Sequence, residues 1–287
     1  MATPWPAQRL MAVIRQAGHS CTYQSSREKD WHRVLEEPSD LVAVAGGDGA
    51  LGKVAKRLIG QDTALAILPL GTANNIFKSL CPPSEIEDLI AGWKTARPRN
   101  CDVGSVNGFS GESYFIESFG VGLLARLISD SDGGHSMTAD PATQPNTFFR
   151  QAAELCRAYP TRRIKVALDG RDLSGEYFLL EAMNTKFIGS NLCLAPKAEP
   201  DDHVLDLVLL SSDDRDKFVT YLAAHAKDPL QPAPFQPHQG RRLRLEIEGS
   251  DLHIDDHVLR DELSASCMAD VNVKESAIKF LVPAMDR

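Results

Sequence analysis

Apolar residues at the start of the chain follow a helical spacing. Residues 10–14 present one apolar face and predict a helix that stops at Gly18, a residue free to take positive φ. A second helix is predicted around Trp31 and ends near Pro38, because the position before a proline disfavours helix. Between the two helices, the pattern predicts a short polar strand over residues 21–24.

Two continuous apolar runs follow, at residues 41–45 and 65–68, with a helical pattern over residues 51–59 between them. Runs of this kind are typical of parallel strands that are buried on both faces. Helices and strands therefore alternate in this part of the chain, which predicts a doubly wound parallel sheet. Ligands of such sheets bind beyond the carboxyl ends of the strands, so the turns after the two runs are predicted to contain a binding site.

From about residue 99 the pattern changes to strands in which apolar and polar residues alternate. Residues 241–248 show this best, because Leu243, Leu245 and Ile247 point to one face while charged residues point to the other. Further strands are predicted over residues 166–168, 177–183, 204–210 and 278–282, with turns at 169–170 and 249–250. Two segments rich in proline and polar residues are expected to be mobile loops, 129–145 and 228–239.

The change of pattern predicts two domains. With 287 residues, the chain exceeds a typical single domain of about 100–200 residues. We place an α/β domain at residues 1–98 and a mainly β domain at residues 99–287.

Composition and charge exclude several classes of protein. The formal net charge of −8 argues against a broad nucleic-acid interface, which needs a basic face. The six cysteines are scattered without zinc-binding spacing, so reduced thiols are expected. No apolar run approaches the roughly 20 residues of a membrane helix, and the amino end lacks the order of a secretion signal. We expect a cytoplasmic protein that meets lipid only peripherally, at the inner membrane face.

The first candidate site is the turn Gly46-Gly47-Asp48-Gly49, which stands between the first apolar run and a helix. Glycines there let the main chain approach an anion, and the N–H groups that begin the helix face it, so phosphate is the expected ligand. The Asp48 carboxylate would repel a bare anion and suits a metal, a ribose hydroxyl or a substrate hydroxyl. The alternative is a tight strand-to-helix turn in which Asp48 is a cap.

A second turn of the same kind follows the next apolar run, with the sequence LPLGTANN at residues 68–75. Turns after neighbouring parallel strands lie side by side, so we expect residues 71–75 to face residues 46–49 across one cleft. Asn74 and Asn75 are poor helix formers, which favours a functional role over a simple helix cap at Thr72. Two converging turns strengthen the prediction of a nucleotide site.

At this point the sequence resembles a known family, the bacterial diacylglycerol kinases and related lipid kinases. Besides the two turns, the resemblance includes DVG at residues 102–104, SFGVG at 118–122 and APKA at 195–198, which runs into Asp201 and Asp202. The motifs match in order and spacing from about residue 8 to residue 283. The resemblance implies an amino-terminal nucleotide-binding α/β domain of NAD kinase and phosphofructokinase type and a carboxyl-terminal β-sandwich, with ATP and lipid meeting in the cleft between them.

The same resemblance implies roles for individual residues. ATP is expected to contact both glycine turns and the serines after the polar strand, namely Ser25, Ser26, Gly46, Gly47, Asp48, Gly49, Gly71, Thr72, Ala73, Asn74 and Asn75. Asp202 matches an acid that forms a structural magnesium site with main-chain carbonyls; the alternative is an exposed acidic turn, since His203 replaces a glycine. Asp48 and Asp202 are expected to handle metal and charge, and Asp256 and His257 to approach the acceptor hydroxyl.

The sequence also departs from the family pattern. It begins in what corresponds to the family's first helix, so the first strand and its Asn-Pro-x-x-Gly phosphate loop have no counterpart. Ala50 replaces a threonine, Leu123-Leu124 stands in place of an acid, and His257 replaces the glutamate that acts as general base. A histidine titrates near working pH and suits a base oriented by Asp255 or Asp256, and the alternative is an exposed loop histidine.

These observations predict an ATP- and Mg²⁺-dependent lipid kinase that moves the γ-phosphoryl group to the hydroxyl of diacylglycerol or a similar lipid at the membrane surface. The alternative is a nucleotide- or lipid-binding relative that has lost turnover. An NAD kinase is a weaker interpretation, because that family's acidic pair after the glycine turn has no counterpart here. The sheet edge exposed by the missing strand predicts a homodimer.

Overall fold

The computed structural model describes residues 5–109, 111–131, 144–248, 251–259 and 266–283. It divides into two compact units, one made of residues 1–101 with 276–287 and the other of residues 102–275. The sequence pattern places the boundary near residue 98 and keeps the end of the chain in the second domain. The end of the chain instead belongs to the first unit, because strand pairing over such a sequence distance leaves no trace in local periodicity.

The first unit contains four α-helices and one 3₁₀-helix within the described residues. Their bounds are α1 (Ala7–Gln16), the 3₁₀-helix (Trp31–Glu36), α2 (Asp48–Leu58), α3 (Asn75–Leu80) and α4 (Ile86–Gly92). The predicted stop of the first helix is confirmed, since Gly18 has φ 87°. The predicted polar strand is wrong, because residues 19–25 form neither helix nor strand.

Parallel strands form the sheet of the first unit. β1 (Leu41–Gly46) pairs with β2 (Ala64–Pro69), and β2 pairs on its other side with the last strand of the chain, where Phe280 lies opposite Leu65. β2 is buried as predicted. The prediction of burial on both faces is wrong for β1, because Ala43 and Ala45 are exposed. Within the described residues β1 is an edge strand, which explains this exposure.

The second unit is mainly antiparallel sheet. Its strands are β3 (Arg97–Phe109, which starts in the first unit), β4 (Gly111–Phe115), β5 (Ser118–Gly122), β6 (Arg162–Leu168), β7 (Arg171–Asp172), β8 (Gly175–Met183), β9 (Leu205–Ser211), β10 (His238–Gly240), β11 (Arg242–Glu248), β12 (Leu252–Ile254), β13 (His257–Val258) and β14 (Ser266–Val282, which ends in the first unit). Its helices are α5 (Leu123–Ser131), α6 (Pro145–Ala158), α7 (Arg215–His225) and a 3₁₀-turn (Ser212–Asp214).

The strands of the second unit follow the order β14, β11, β6, β8, β5, β12, β13, with β9 also paired to β8. The alternation predicted for β11 is confirmed, since Leu243, Leu245 and Ile247 are buried and Arg242 and Arg244 are exposed. One apolar cluster lies between the strands, and a second includes residues of α5, α6 and α7. Within this order, β5 lies between β8 and β12.

The two segments expected to be loops have different outcomes. Residues 132–143 lie outside the described residues, as does the predicted turn at 249–250. In the proline-rich segment, Ala233 and Phe235 are buried in the apolar core, and the N–H of Ala233 donates to the carbonyl of Cys193. This segment is therefore packed into the core of the second unit, to which it belongs.

None of the helices in the described ranges is both long enough and apolar enough to cross a membrane. All six cysteines fall in these ranges and are free thiols, as expected.

Candidate functional site

The two glycine turns of the first unit are in direct contact. A Cβ added to Gly71 would lie 2.2 Å from the Cα of Gly47, so only glycine allows the two main chains to approach this closely. The N–H of Leu70 also donates to the carbonyl of Gly46 at 3.1 Å. The sequence predicts turns that face each other across a cleft, whereas the structure packs them into one continuous surface.

Asp48 joins the two turns through its carboxylate. Oδ2 accepts a hydrogen bond from the N–H of Asn75 at 2.9 Å, and Oδ1 accepts one from the N–H of Ile76 at 3.0 Å. These N–H groups begin α3 and have no acceptor within that helix. Asp48 is therefore a cap, as the alternative interpretation proposed, but it caps a helix that starts 27 residues further along the chain.

Asn74 holds the second turn in shape. It has a left-handed φ of 53°, a conformation that asparagine tolerates better than most residues. Its side-chain Oδ1 accepts the N–H of Gly71 at 2.9 Å, and its Nδ2 donates to the carbonyls of Gly71 and Pro69 at 2.8 and 3.3 Å. Thr72 is exposed and does not cap α3, whose N-cap is Asn74.

The amino end of α2 is open to a ligand. Its N-cap is Gly47 in an extended conformation, and no side chain caps the helix. The first N–H groups of a helix have no acceptor within it, so those of Gly49 and Ala50 remain for an external one. Because the Asp48 carboxylate binds α3, the helix presents its positive end to an anion such as phosphate.

Lys78 adds a positive charge beside these turns, and sequence reasoning missed it. Burial raises the pKa of Asp48, while the N–H groups of Ile76, Asn75 and Asp48 itself and the charge of Lys78 act against the rise. Burial also lowers the pKa of Lys78, and the charge of Asp48 opposes that change. The two side chains therefore interact electrostatically. The only sequence signal for this was a basic residue in the helix that follows the second turn.

Ser26 is attached to α2 through Lys53. The Lys53 ammonium donates to the Ser26 carbonyl at 2.6 Å and lies 4.8 Å from the centre of the Trp31 ring. The hydroxyl of Ser25 accepts the N–H of Arg27 at 3.3 Å within the same turn. Lysine at position 53 therefore holds the segment of Ser25 and Ser26 against the helix that follows the first glycine turn.

In the second unit, His203 occupies its turn with the conformation expected of a glycine. Its φ is 65°, its main-chain N–H donates to Oδ2 of Asp102 at 2.8 Å, and its ring Nδ1 lies 3.0 Å from Oδ1 of the same residue. Asp102 is buried. These two bonds to a buried carboxylate offset the strain of the left-handed conformation, so histidine does not prevent the turn from forming.

Asp202 lies next to this turn among other acids. Its Oδ1 accepts the N–H of Val204 at 3.1 Å, and burial, with the charges of Asp102, Asp201 and Glu199, raises its pKa. In the ranges that the structure describes, no three or more histidine, cysteine or acidic side chains are arranged to hold a metal ion. The side chains alone do not fit a resident magnesium ion, and a site at Asp202 would depend on main-chain carbonyls.

The segment predicted to approach the acceptor is a β-hairpin formed by β12 and β13. Asp256 and His257 are exposed at its tip, and His257 pairs with Ile254. Asp255, which has φ 52°, is buried and accepts hydrogen bonds from the N–H groups of residues 116–118, the shortest from Glu117 at 2.8 Å. Asp255 therefore fixes the hairpin to the turn before β5.

A buried pair joins this hairpin to β8, since His253 belongs to β12 and Glu181 to β8. Sequence reasoning gave no signal for it. His253 Nε2 lies 2.9 Å from Oε1 of Glu181, and its Nδ1 lies 2.8 Å from the carbonyl oxygen of Asp255. Both residues are opposite Gly120 in neighbouring strands. A Cβ on Gly120 would lie 2.0 Å from Glu181 Oε1 and 2.2 Å from His253 Nε2, so this glycine makes room for the pair.

Leu123 and Leu124 occupy the place where the family resemblance leads us to expect an acid. Both leucines are buried in the apolar cluster at the start of α5. An acid at either position would enter that cluster without a partner supplied by these apolar neighbours. Leucine instead of an acid is therefore consistent with the apolar surroundings of positions 123 and 124.

Two family models match the chain. The diacylglycerol kinase catalytic domain matches residues 7–106, and the YegS C-terminal NAD kinase beta sandwich-like domain matches residues 136–258. The predicted fold class, a doubly wound parallel-sheet domain followed by a β-sandwich domain, is confirmed.

Individual relatives carry related names. Over 224 residues the chain is 29% identical to a diacylglycerol kinase of Bacillus subtilis, covering 74% of this chain and 70% of that protein. Over 216 residues it is 32% identical to a probable lipid kinase YegS-like protein of Pseudomonas aeruginosa, covering 70% and 66%. The crystal structure of a diacylglycerol kinase from Bacillus anthracis aligns with a TM-score of 0.61 at 20% identity, over 84% of this chain and 77% of that one, which shows a shared fold.

Proposed function

The chain belongs to the bacterial diacylglycerol kinase and lipid kinase family, and we propose that it transfers the γ-phosphoryl group of ATP to the hydroxyl of diacylglycerol or a similar lipid. The observation that carries this proposal is the joined surface of the two glycine turns, where the Asp48 carboxylate is bound to the start of α3 and the N-cap of α2, Gly47, makes no side-chain cap.

The open end of α2 is the proposed position for the phosphates of ATP. The N–H groups of Gly49 and Ala50 would bind phosphate oxygens, and Lys78 would balance the added negative charge. Gly46, Gly47 and Gly71 to Asn75 would line the rest of the nucleotide site, with Ser25 and Ser26 held nearby by Lys53. Phosphoryl transfer depends mainly on such positioning and charge balance.

On the acceptor side, the hairpin tip is the proposed source of the general base. The imidazole of His257 or the carboxylate of Asp256 would take the proton of the lipid hydroxyl as its oxygen bonds to the γ-phosphorus. The bond from that phosphorus to the bridging oxygen breaks, and ADP leaves. Because both side chains are exposed, they are accessible to a lipid that arrives from a membrane surface.

Magnesium is proposed to arrive bound to ATP, as part of the substrate. The side chains around Asp202 do not by themselves make a resident site, so no step of the proposed reaction is assigned to a metal there. Asp202 remains a proposed ligand for a structural ion held largely by main-chain carbonyls. The test is a comparison of magnesium binding, by calorimetry without nucleotide, between the unaltered chain and Asp202→Asn.

The proposed reaction is tested with purified chain, labelled ATP, Mg²⁺ and micelles that contain diacylglycerol. Label in the extracted lipid is the expected result, and Asp256→Asn and His257→Gln are expected to lower kcat with little change in KM for ATP. His238→Gln is the matched control, because His238 is another exposed histidine of the same unit. If neither tip variant changes kcat, the hairpin does not supply the base.

A specific observation favours a second candidate, a nucleotide-binding relative without turnover. Leu123 and Leu124 leave no acid where the kinase pattern has one, and Ala50 lacks the hydroxyl of the usual threonine. ATP binding in calorimetry without label in any lipid would support this candidate. Ala50→Thr restores the hydroxyl and gives a second test. If that variant transfers phosphate to lipid, the result supports the kinase function.

Self-association is proposed to use the edge of the first unit's sheet. Among the described strands, β1 pairs only with β2, and its Ala43 and Ala45 are exposed. Unpaired strand edges are ready partners for a second chain. Sedimentation equilibrium is expected to show a dimer that Ala43→Lys weakens, because a charge on an edge strand opposes pairing; a monomer at all concentrations would contradict this.

A further inference from the structure

The ring of His253 is placed between two hydrogen-bond acceptors. Nε2 faces the carboxylate of Glu181 at 2.9 Å, and Nδ1 faces the main-chain carbonyl of Asp255 at 2.8 Å. A neutral imidazole has one N–H and can satisfy only one acceptor, whereas the imidazolium has two. Opposite an ionised Glu181, both ring nitrogens therefore carry a proton, and the charges that face the ring, Glu181 from β8 and Asp255 from its own hairpin, raise its pKa.

Neither side chain of the pair has contact with water, since both are fully buried. The second oxygen of Glu181, Oε2, has no hydrogen-bond partner within the described residues. A buried charge is tolerated only when it is paired, so each member of the pair depends on the other. The charge of Glu181 thus favours the protonated form of His253, and the Nδ1–H of the ring donates to the Asp255 carbonyl.

Asp255 connects the ring of His253 to the tip of the hairpin. The carbonyl held by His253 belongs to Asp255, whose carboxylate binds the N–H groups of Ile116, Glu117 and Ser118 and whose own N–H donates to the carbonyl of Ser118 at 2.9 Å. Asp256 and His257 follow directly. The main chain at position 255 is therefore held from two sides, and the orientation of the next two residues depends on it.

We infer that His253, held by Glu181, is a positioning residue that sets where the hairpin presents Asp256 and His257. The inference rests on the proposed function only in assigning those two residues to the acceptor side. The pair lies in β8 and β12, with Gly120 of β5 between them. It supplies rigid support from the centre of the sheet to a tip that is otherwise exposed to solvent, the arrangement that a precisely oriented base requires.

The test separates positioning from general stability with four variants of the full chain. His253→Leu removes both N–H groups and leaves Glu181 buried without its partner. Glu181→Leu with His253→Leu removes the lone charge but does not restore the bond to Asp255. Glu181→Gln allows a neutral His253 to keep Nδ1–H on Asp255 while the amide donates to Nε2. Leu210→Ala, in the apolar cluster beside β8, destabilises the same unit without removing a hydrogen bond.

Hydrogen exchange at the Glu117 and Asp255 amides measures directly how firmly the hairpin is hydrogen-bonded to the turn before β5. The measurement needs no enzymatic activity. We expect exchange to be faster by roughly three- to tenfold in His253→Leu and in the double variant, because the lost bond is of ordinary strength. In urea unfolding, the double variant should have a higher midpoint than His253→Leu, close to that of the unaltered chain. Its Glu117 and Asp255 amides should still exchange fast. Glu181→Gln should stay close to the unaltered chain. Leu210→Ala should not affect these two amides selectively.

The kinetic arm uses the lipid kinase assay. We expect kcat to fall by roughly ten- to a hundredfold in His253→Leu and in the double variant, with KM for ATP changed less than twofold. Slow exchange in the double variant, or fast exchange with unchanged kcat, would overturn the positioning role. If the unaltered chain transfers no phosphate, the proposed function fails, and the exchange measurements alone decide for or against the role of the pair.

Discussion

The carboxylate of Asp48 binds the main-chain N–H of Asn75 at 2.9 Å, across 27 residues of sequence. One side chain thus fixes the start of α3 to the start of α2 and brings together two turns that follow neighbouring parallel strands. The glycines of these turns allow the main chains to touch, and Asp48 holds them in contact. The Asp48 carboxylate can therefore lie beside the proposed phosphate site, because main-chain N–H groups of the protein already bind it.

Replacing Asp48 is expected to loosen this contact. Asp48→Ala leaves the N–H groups of Asn75 and Ile76 without their acceptor, and a lost helix cap costs about 1–2 kcal/mol of folding free energy. ATP affinity should fall with it, because the two turns are no longer held together. Urea unfolding and calorimetry measure the two effects. Asp62→Ala, the same change at a fully exposed acid of the first unit, is the control; it removes only a surface ion pair with Lys279, so its effect on both should be much smaller.

A single methyl group at Gly71 is expected to separate the turns. Gly71→Ala places a Cβ 2.2 Å from the Cα of Gly47, a clash with main chain that can be relieved only by moving a turn. Overpacking of this kind costs roughly 1–3 kcal/mol. Gly92→Ala is the matched control, since nothing lies within 4 Å of its added Cβ. Thermal unfolding with and without ATP checks both, and equal behaviour of the two variants would contradict the close-contact interpretation.

Asp206 is expected to make the protein less stable as pH rises from about 4 to 6. Burial, with the charge of Asp202, raises the pKa of Asp206 from 3.8 to about 6. The folded state therefore holds this proton more tightly than the unfolded state. The stability that the protonated carboxyl provides below its ordinary pKa of 3.8 is lost as the pH rises to about 6. Asp206→Asn should remove the dependence and gain on the order of 3 kcal/mol at neutral pH. Urea unfolding at several pH values, without divalent cations, is the measurement.

His253 is expected to make the free energy of unfolding depend on pH above about 6.5. Burial alone would lower its pKa, but the Glu181 carboxylate, with the Asp255 carbonyl and charge, raises the pKa above the ordinary 6.5. Because the folded value is raised, the pair's contribution is fully present below 6.5 and is lost as pH rises through the folded value. Unfolding curves above neutral pH should show this loss, and Glu181→Gln should flatten it. An identical slope in both proteins would exclude His253 as its source.

Several features of the site could be read from local sequence. The glycine turns follow apolar runs that become β1 and β2, and parallel strands bring such turns together at one edge of a sheet. Alternation in β11 likewise predicted which side chains face the core. These predictions succeed because periodicity and glycine placement are properties of neighbouring residues.

Other features depended on which distant segments meet. The last strand, β14, joins β2 in the first unit, and residues 21–24 form no strand. Among the described strands, β1 is an edge strand with exposed alanines. Strand pairing and burial are set by long-range contacts, and the same short pattern fits a central strand, an edge strand or a coil. Local pattern therefore could not decide among them.

The amino-acid sequence by itself determined the family, the order of the main elements and the two glycine turns, because each is encoded in adjacent residues. Only the tertiary structure decided what the carboxylates do. Asp48 caps α3, Asp255 binds the turn before β5, and Glu181 contacts the buried ring of His253. A carboxylate binds whichever donor the fold brings within about 3 Å, and that partner can lie anywhere in the chain.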